Sequence, residues 1–449
     1  MKRLPLLASM IFAAAPVAAG AEPVLLISID GLRPLDVIEA EKRGLKVPTL
    51  RRFLTEGSYA RGVVGVLPTL TYPSHATLLT GAAPARHGIV SNTTFDPTQM
   101  NHDGWFWYAS DYKRETLWGA ASKAGLRTAN VHWPVSVGAR GITYNMPQIW
   151  RTGHPDDAKL IDALATPGLK ARLEREVGQP YAAGIDESIV ADENRARFAG
   201  QLIADEKPDF ITVYFAALDH EEHLHGPDSP EANAILQRID ALIGKLVEAE
   251  MSAHPDAAVA VVSDHGFVPI DNALNIYGAF IEAGLVTIGA DGKIASWEAV
   301  PWASGGSAAI MLAQPDDKAL RTRVLVVLDK LKADPGNGIE RIVEKAEIAT
   351  MGGNPQASFY VNLKPGMATG GFYGKEVPLR FPPPYKGMHG YFPTSPALYA
   401  SLLIMGKGVA KGRDLGVIDM RAIAPTLAGL LGTSLPDAEV KPLDVQPFR

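Results

Sequence analysis

Three stretches of this chain are continuous apolar runs that stop at an acid: VLLISID (Val24–Asp30), FITVYFAALD (Phe210–Asp219) and AAVAVVSDHG (Ala257–Gly266). Runs without alternating polar positions read as strands buried on both faces, as in parallel sheets. Helical patterns lie between them. KVPTLRRFLTEG (Lys46–Gly57) is amphipathic and closes on glycine, and ANAILQRIDALIGKLVEAEM is a long amphipathic run. ARGVVGVLP reads as a further strand, and ETLWGAASKAGLRTANVHWP as a helix and a strand ending near His132. This alternation predicts an α/β fold, a doubly wound, mostly parallel central sheet with helices on both faces. Such sheets bind ligands outside the carboxyl ends of their strands. Asp30, Asp219 and Asp264 are therefore expected to face one crevice.

From about residue 290 to 384 the texture changes to small residues, a charged helix over Asp317–Lys332 and a Gly/Pro-rich stretch. That segment predicts a smaller inserted α+β cap lobe, after which ALYASLLIMG and DMRAIAPTLAGLLG resume the α/β pattern. With 449 residues, 47% of them hydrophobic, the chain can bury a core of that size. A net charge of -6 gives no basic surface for nucleic acid. The absence of cysteine removes disulfides, thiolate chemistry and thiolate zinc sites. Met1-Lys2-Arg3, the apolar run after it and Ala19-Gly20-Ala21 read as a signal peptide over residues 1–21, cut after Ala21. The expected product is a periplasmic or secreted catalytic chain over residues 22–449. The leader is too short for a comfortable membrane span, and no later segment is long and apolar enough.

Chemistry concentrates around TLTYPSHATLLTG (Thr69–Gly81). Thr71 sits where an N-cap is expected and Pro73 falls in the first turn. A helix start offers free N–H groups and the positive end of the dipole, which favour phosphate and a developing alkoxide. Six residues elsewhere are hard or borderline metal ligands: Asp30, Asp219, His223, Asp264, His265 and His389. Three carboxylates and three imidazoles suit zinc, and less well manganese or iron. Asp219 and His223 share one face if that stretch is helical. Six ligands exceed one catalytic zinc and divide into two sites. A pair of cations clamps an in-line displacement at phosphorus, and one of them against the Thr71 oxygen lowers its pKa. Taken singly, each residue has an ordinary explanation, as a helix cap, a turn residue or a surface ion pair. The case rests on their joint order along one expected crevice.

That order carries a resemblance. SIDGLRP with Asp30, TLTYPSH with Thr71, HGIVSN (His87–Asn92), Asp219 and His223 followed by HGPDS, SDHGF and GMHGY together resemble the nucleotide pyrophosphatase/phosphodiesterase family. This family is a branch of the alkaline phosphatase superfamily, and the resemblance runs from about residue 23 to 435. It implies two zinc ions per chain, with manganese or iron an option at one site, and a phospho-threonine intermediate on Thr71. Asp219, His223 and His389 would hold one zinc; Asp30, Asp264, His265 and the Thr71 oxygen the other. Asn92 would donate to a non-bridging phosphoryl oxygen. A neutral carboxamide there suits a diester, whose transition state carries less charge than that of a monoester. Tyr72 matches an aromatic position that stacks on a base in nucleotide-cleaving members. One departure is Glu222, where family members usually carry glycine, and its neighbours His220 and His225 compete with His223 for the ligand role.

The leading expectation is thus an exported zinc-dependent phosphodiesterase acting on nucleotide diesters or pyrophosphates. The same site acting on phosphomonoesters, phosphonates or lysophospholipid-type diesters is the alternative. The aromatic stretch His102–Tyr112 could line a base slot or a lipid slot. A sulfatase is disfavoured, because Thr71 stands where that chemistry needs an oxidised Cys or Ser. A non-catalytic periplasmic binding protein is a third reading, set against the retention of all six ligands. The partner expected is a small phosphodiester or nucleotide; oligomeric state stays open.

Overall fold

The computed structural model describes residues 21–101, 104–149, 156–181, 187–370 and 377–447. Residues 1–20 of the expected leader lie outside the described residues, as do His102 and Asp103. The apolar runs form the middle of an eight-stranded sheet. Its order is Arg413–Asp414, Ser58–Tyr59, Leu402–Gly406, Ala258–Val262, Val24–Ile29, Phe210–Phe215, Thr128–Val131, Tyr144–Met146. Val24–Ile29 is central and runs parallel to both neighbours, with Val24 opposite Phe210 on one side and Ala258 on the other. Leu402–Gly406 pairs antiparallel with Ala258–Val262.

The three central strands are buried at every position. Alternate residues feed two different cores. Leu25, Ile27, Ile29, Ile211, Val213 and Phe215 pack with Leu50, Phe198, Leu202, Ile239 and Ile243 on one face. Val24, Leu26, Phe210, Tyr214, Ala258 and Ala260 pack with Leu78, Leu79, Trp118 and Leu427 on the other. Fully burying one such side chain contributes roughly 1.5–3 kcal/mol. A slip of one residue would exchange the two cores, so register is tightly specified.

The helices follow local chemistry. Pro48–Glu56 begins on a proline in its first turn, and Lys318–Ala333 is capped by Asp317, which accepts from Ala319 N and Leu320 N. Two local expectations differ from the structure. ARGVVGVLP does not supply a strand to the main sheet. Gly62–Val64 instead pairs with Val417–Asp419 in a separate two-stranded ribbon, and the main sheet takes Ser58–Tyr59. Asp219 does not end a strand: the strand stops at Phe215 and a helix, Ala217–His225, carries it.

Smaller sheets follow the central strands. Ala299–Ala303, Ser307–Leu312, Phe359–Leu363 and Ile339–Glu344 form an antiparallel sheet. Val268–Leu274 gathers Gly366–Thr369, Arg380–Phe381 and Gly387–Met388 around itself. A third core built on Ile310, Val324, Leu328 and Phe359 holds these together. Among the described residues no helix is long and apolar enough to cross a membrane.

Candidate active site

The three central strands are neighbours, so the loops at their carboxyl ends meet. Asp30 follows the middle strand directly, and Asp264 and His265 follow the next. His265 Nε2 lies 3.3 Å from Asp30 Oδ1 and 3.2 Å from Asp264 Oδ2. All three residues are at most 1% exposed. The other carboxylate oxygens are committed: Tyr214 donates to Asp30 Oδ2 at 2.5 Å, and Gly31 N and His265 N donate to Asp264 Oδ1. Asp30 Oδ1, Asp264 Oδ2 and His265 Nε2 have no hydrogen-bond partner among the described residues. Three buried polar atoms turned toward one another and left unsatisfied are what a cation site requires of its donors.

A second triad stands beside the first. Asp219 and His223, one turn apart on the helix Ala217–His225, meet His389 from the chain after the inserted sheets. Asp219 Oδ2 is 3.5 Å from His223 Nε2, and Asp219 Oδ1 is 3.6 Å from His389 Nε2. Each imidazole is oriented from behind. His223 Nδ1 lies 3.0 Å from Gly387 O, and His389 Nδ1 lies 2.9 Å from Thr69 O. Donating Nδ1–H to a carbonyl fixes the tautomer that leaves Nε2 free as a ligand. Asp192 anchors the start of this helix, accepting from Ala216 N and Ala217 N while paired with Arg195 at 2.5 Å.

Electrostatics tell the same story. Burial, then the neighbouring Asp264 and Asp219, hold the Asp30 carboxyl well above its ordinary range. Burial, followed by Glu187 and Asp264, does the same for Asp219, and burial raises Asp264 to about 7. Burial also lowers His223 to about 4 and His389 to about 3. Protein groups alone therefore press all these side chains toward neutrality. Two divalent cations would reverse that for the carboxylates and use the neutral imidazoles as they stand. The donor set fits such ions.

Thr71 opens the helix Thr71–Thr80 on the wall of the same cleft. It is not the N-cap. Leu70, with φ -118° and ψ 154°, is the last extended residue, and no side chain caps this helix. The helix starts one residue early, so the Thr71 hydroxyl is not spent on its own backbone, and of the first-turn N–H groups that of Thr71 has no intrahelical partner. Tyr72 N donates to Asn92 Oδ1 at 2.9 Å. His75, one turn on, lies 2.7 Å from Thr71 O through Nδ1 and 2.8 Å from Ser28 Oγ through Nε2.

Together these groups line a cleft of about 770 Å³. Its polar lining includes Asp30, Asp219, His223, His389, Thr71, Asn92, Glu187 and His220. Leu224, Ala303, Ala368, Pro383, Tyr385 and Met388 make up much of its apolar lining. Tyr72 borders the cleft but is only 1% exposed, its ring packed 5.4 Å from that of Trp105. Within the aromatic stretch, only Trp105 among the described residues reaches the cleft. His220 pairs with Glu187 at 3.2 Å and His225 lies 3.5 Å from Glu221, so neither belongs to a triad. Sequence reasoning missed Tyr214, His75, Ser28 and Asp192. Only His75 carried a signal, its four-residue spacing from Thr71.

A profile described as type I phosphodiesterase/nucleotide pyrophosphatase matches residues 24–359. Human ectonucleotide pyrophosphatase/phosphodiesterase family member 1 is 28% identical over 254 residues, covering 54% of this chain and 23% of that protein. An uncharacterized pyrophosphatase/phosphodiesterase of Schizosaccharomyces pombe is 28% identical over 267 residues, 56% of this chain and 46% of its own. The matched part thus spans under half the length of either curated relative. Among solved structures, human ectonucleotide pyrophosphatase/phosphodiesterase 5 superposes with a TM-score of 0.65 at 19% identity, covering 92% of this chain and 96% of its own. Its murine counterpart, an inactive variant in complex with AMP, gives 0.65 at 18% identity, with coverages of 94% and 97%. At such identity these structures speak to the fold alone.

Proposed function

The chain belongs to the type I phosphodiesterase/nucleotide pyrophosphatase family, and from that premise we propose that it is a zinc-dependent phosphodiesterase using Thr71 as nucleophile. The observation that carries this reading is the convergence of two ligand triads on the cleft that Thr71 lines. Asp219, His223 and His389 would hold one cation, and Asp30, Asp264, His265 and the Thr71 oxygen the other. Bound there, two divalent cations supply stabilisation of negative charge on the attacking and leaving oxygens.

The protein's own groups do the rest. Thr71 Oγ gives its proton to solvent and forms the bond to phosphorus as the bond to the leaving oxygen breaks on the opposite side, that oxygen departing as an anion. Water then attacks this phosphorus, which still carries the retained ester group, releasing the phosphate monoester and restoring the Thr71 hydroxyl. Asn92 and the Thr71 N–H, which has no intrahelical partner, stabilise a non-bridging oxygen. Trp105, backed by Tyr72, offers an aromatic face to a nucleobase. The substrates are nucleotide diesters or pyrophosphates, with a nucleoside monophosphate released. Residues 290–384 act as a cap, since Ala303, Ala368 and Pro383 reach the cleft from there. Export, with cleavage after Ala21, places the enzyme in the periplasm or outside the cell.

The apolar residues that line the cleft favour a second reading, a lysophospholipid-type diester whose alkyl arm lies against Leu224, Tyr385 and Met388. Hydrolysis rates decide between readings. The nitrophenyl ester of a nucleoside monophosphate, bis-nitrophenyl phosphate, nitrophenyl phosphate and a lysophospholipid are compared with and without chelator. Diester cleavage abolished by chelation and restored by zinc supports the proposal. Preference for the monoester, or no turnover after zinc is supplied, overturns it.

A further inference from the structure

Glu222 lies between the ligands Asp219 and His223 on the helix Ala217–His225, yet it belongs to neither triad. It is 1% exposed. A carboxylate that deep is costly unless something holds it. Its Oε1 lies 3.8 Å from Arg33 Nε, and its Oε2 has no hydrogen-bond partner.

Arg33 is itself fixed. It makes bidentate contacts to Asp36, at 3.0 and 2.8 Å, and to Asp228, at 3.2 and 2.7 Å. Arg43 reaches the same two carboxylates. The guanidinium therefore has little freedom to follow Glu222 if the helix moves.

The surroundings of Glu222 are the backbones that carry the other ligands. A Cβ on Gly31, the residue after Asp30, would stand 2.8 Å from Glu222 Oε2 and 3.2 Å from Phe267 Cδ2. Gly31 has φ +78°, so glycine suits this position both for its backbone and for the close approach. Phe267, two residues past His265, lays its ring 4.8 Å from His223 and 5.3 Å from His389. Lys386 N donates to His223 O at 2.8 Å, tying the helix to the segment that leads to His389. Glu222 thus touches the junction where the Asp30 loop, the His265 loop, the His389 segment and the ligand helix meet.

We propose that Glu222, paired with Arg33, is a positioning residue that fixes the Asp219–His223 helix against the Asp30 loop and so sets the spacing between the two metal triads. It contacts neither substrate nor reacting atoms. The proposal rests on the metal reading above, and its test separates the two.

Zinc stoichiometry of the purified holoprotein is measured by elemental analysis, and zinc release to a chromogenic chelator is timed for wild type, Glu222→Gln, Glu222→Ala and Arg33→Gln. Steady-state kcat and KM for a nitrophenyl diester are measured alongside. Glutamine matches glutamate in size, so a role in packing alone would be rescued by it. The expected result is that Glu222→Gln releases zinc on the order of 10–100-fold faster than wild type, as for loss of an outer-shell partner. Its kcat falls while KM changes little. Arg33→Gln shifts both quantities in the same direction, and a protein carrying both Glu222→Gln and Arg33→Gln, measured alongside, releases zinc no faster than the faster of the two single variants. Glu222→Gln indistinguishable from wild type, with or without a defect in Glu222→Ala, overturns the proposal. Should Glu222→Gln fail to fold, Arg33→Gln with wild-type zinc release overturns it. A wild-type protein that takes up no zinc overturns the metal reading, and this proposal with it.

Discussion

The backbone N–H of Tyr72 donates to Asn92 Oδ1 at 2.9 Å, so a residue of the HGIVSN loop is clamped to the first turn of the Thr71 helix. Because an N–H can only donate, the atom it meets must be the amide oxygen, which fixes the orientation of the carboxamide. The amide nitrogen is then the part of Asn92 left to meet an anionic oxygen in the cleft. Asn92→Ala should cost about 2–4 kcal/mol of transition-state stabilisation, the range for one lost oxyanion donor. The fall should appear in kcat for a diester, with zinc content unchanged. A kcat near wild type would mean that the carboxamide only holds the loop.

Thr71→Ala removes the proposed nucleophile without touching the six carboxylate and imidazole ligands. Turnover should fall on the order of 10³-fold or more, while zinc stoichiometry stays close to that of wild type. Wild-type enzyme acid-quenched during turnover of a nucleotide diester should yield a peptide carrying a nucleotidyl group, the phosphoryl with its retained nucleoside ester, on Thr71, absent from the variant. Residual turnover within tenfold of wild type would assign the attack to water and leave Thr71 as a helix residue.

The two candidate triads were legible because their signals are local. For Asp30 and Asp264 an apolar run that stops at an acid declares both a buried strand and the end of the sheet at which its carboxylate emerges, whereas the run before Asp219 ends its strand at Phe215; SDHG and GMHG add imidazoles at turns. What supports the ligands was not legible, because each supporting contact crosses the sequence. Tyr214 looks like one more aromatic in a buried strand until its hydroxyl is seen on Asp30 Oδ2. Asp192 looks like a first-turn helical acid, yet it anchors a different helix, the one that carries Asp219. The same limit explains two misplacements. Thr71 was expected as a cap because hydroxyl residues favour that position, but Leu70 already provides the extended residue and the helix begins one step earlier. Gly62–Val64 has strand character, and only tertiary pairing with Val417–Asp419 decides that it lies outside the main sheet.

Gly390 follows His389 with φ +83°, and a Cβ there would collide with the carbonyl oxygen of Ser304. Its N–H meets Thr69 O at 3.0 Å, the same carbonyl that His389 Nδ1 approaches. Gly390→Ala should therefore strain the backbone by about 1–3 kcal/mol and swing the imidazole off its partner. The expected outcome is a soluble protein with lowered Tm that binds about one zinc fewer per chain. Two zinc ions retained at wild-type affinity would show that the loop absorbs the added methyl without moving His389.

His87 tests how burial couples to pH away from the ligands. Its ring is fully buried; Nδ1 accepts from Ile89 N at 3.1 Å, which leaves the Nε2 proton to face Thr77 Oγ1 at 3.1 Å. Burial lowers this imidazole from its ordinary 6.5 to about 3. Between those values the unfolded chain takes up a proton that the folded chain refuses. The stability contributed by the neutral ring is therefore whole above pH 6.5 and is lost as pH falls toward 3. At pH 5 the loss amounts to about 2 kcal/mol. His87→Asn keeps an acceptor for Ile89 N–H but has nothing to protonate in this range. Urea unfolding at constant zinc should find the variant less stable than wild type at pH 7.5, because the contact to Thr77 is gone. Its further loss between pH 7.5 and 5 should be smaller than that of wild type by about 2 kcal/mol. Equal losses in the two proteins would mean that His87 protonates in the folded state with its surroundings intact.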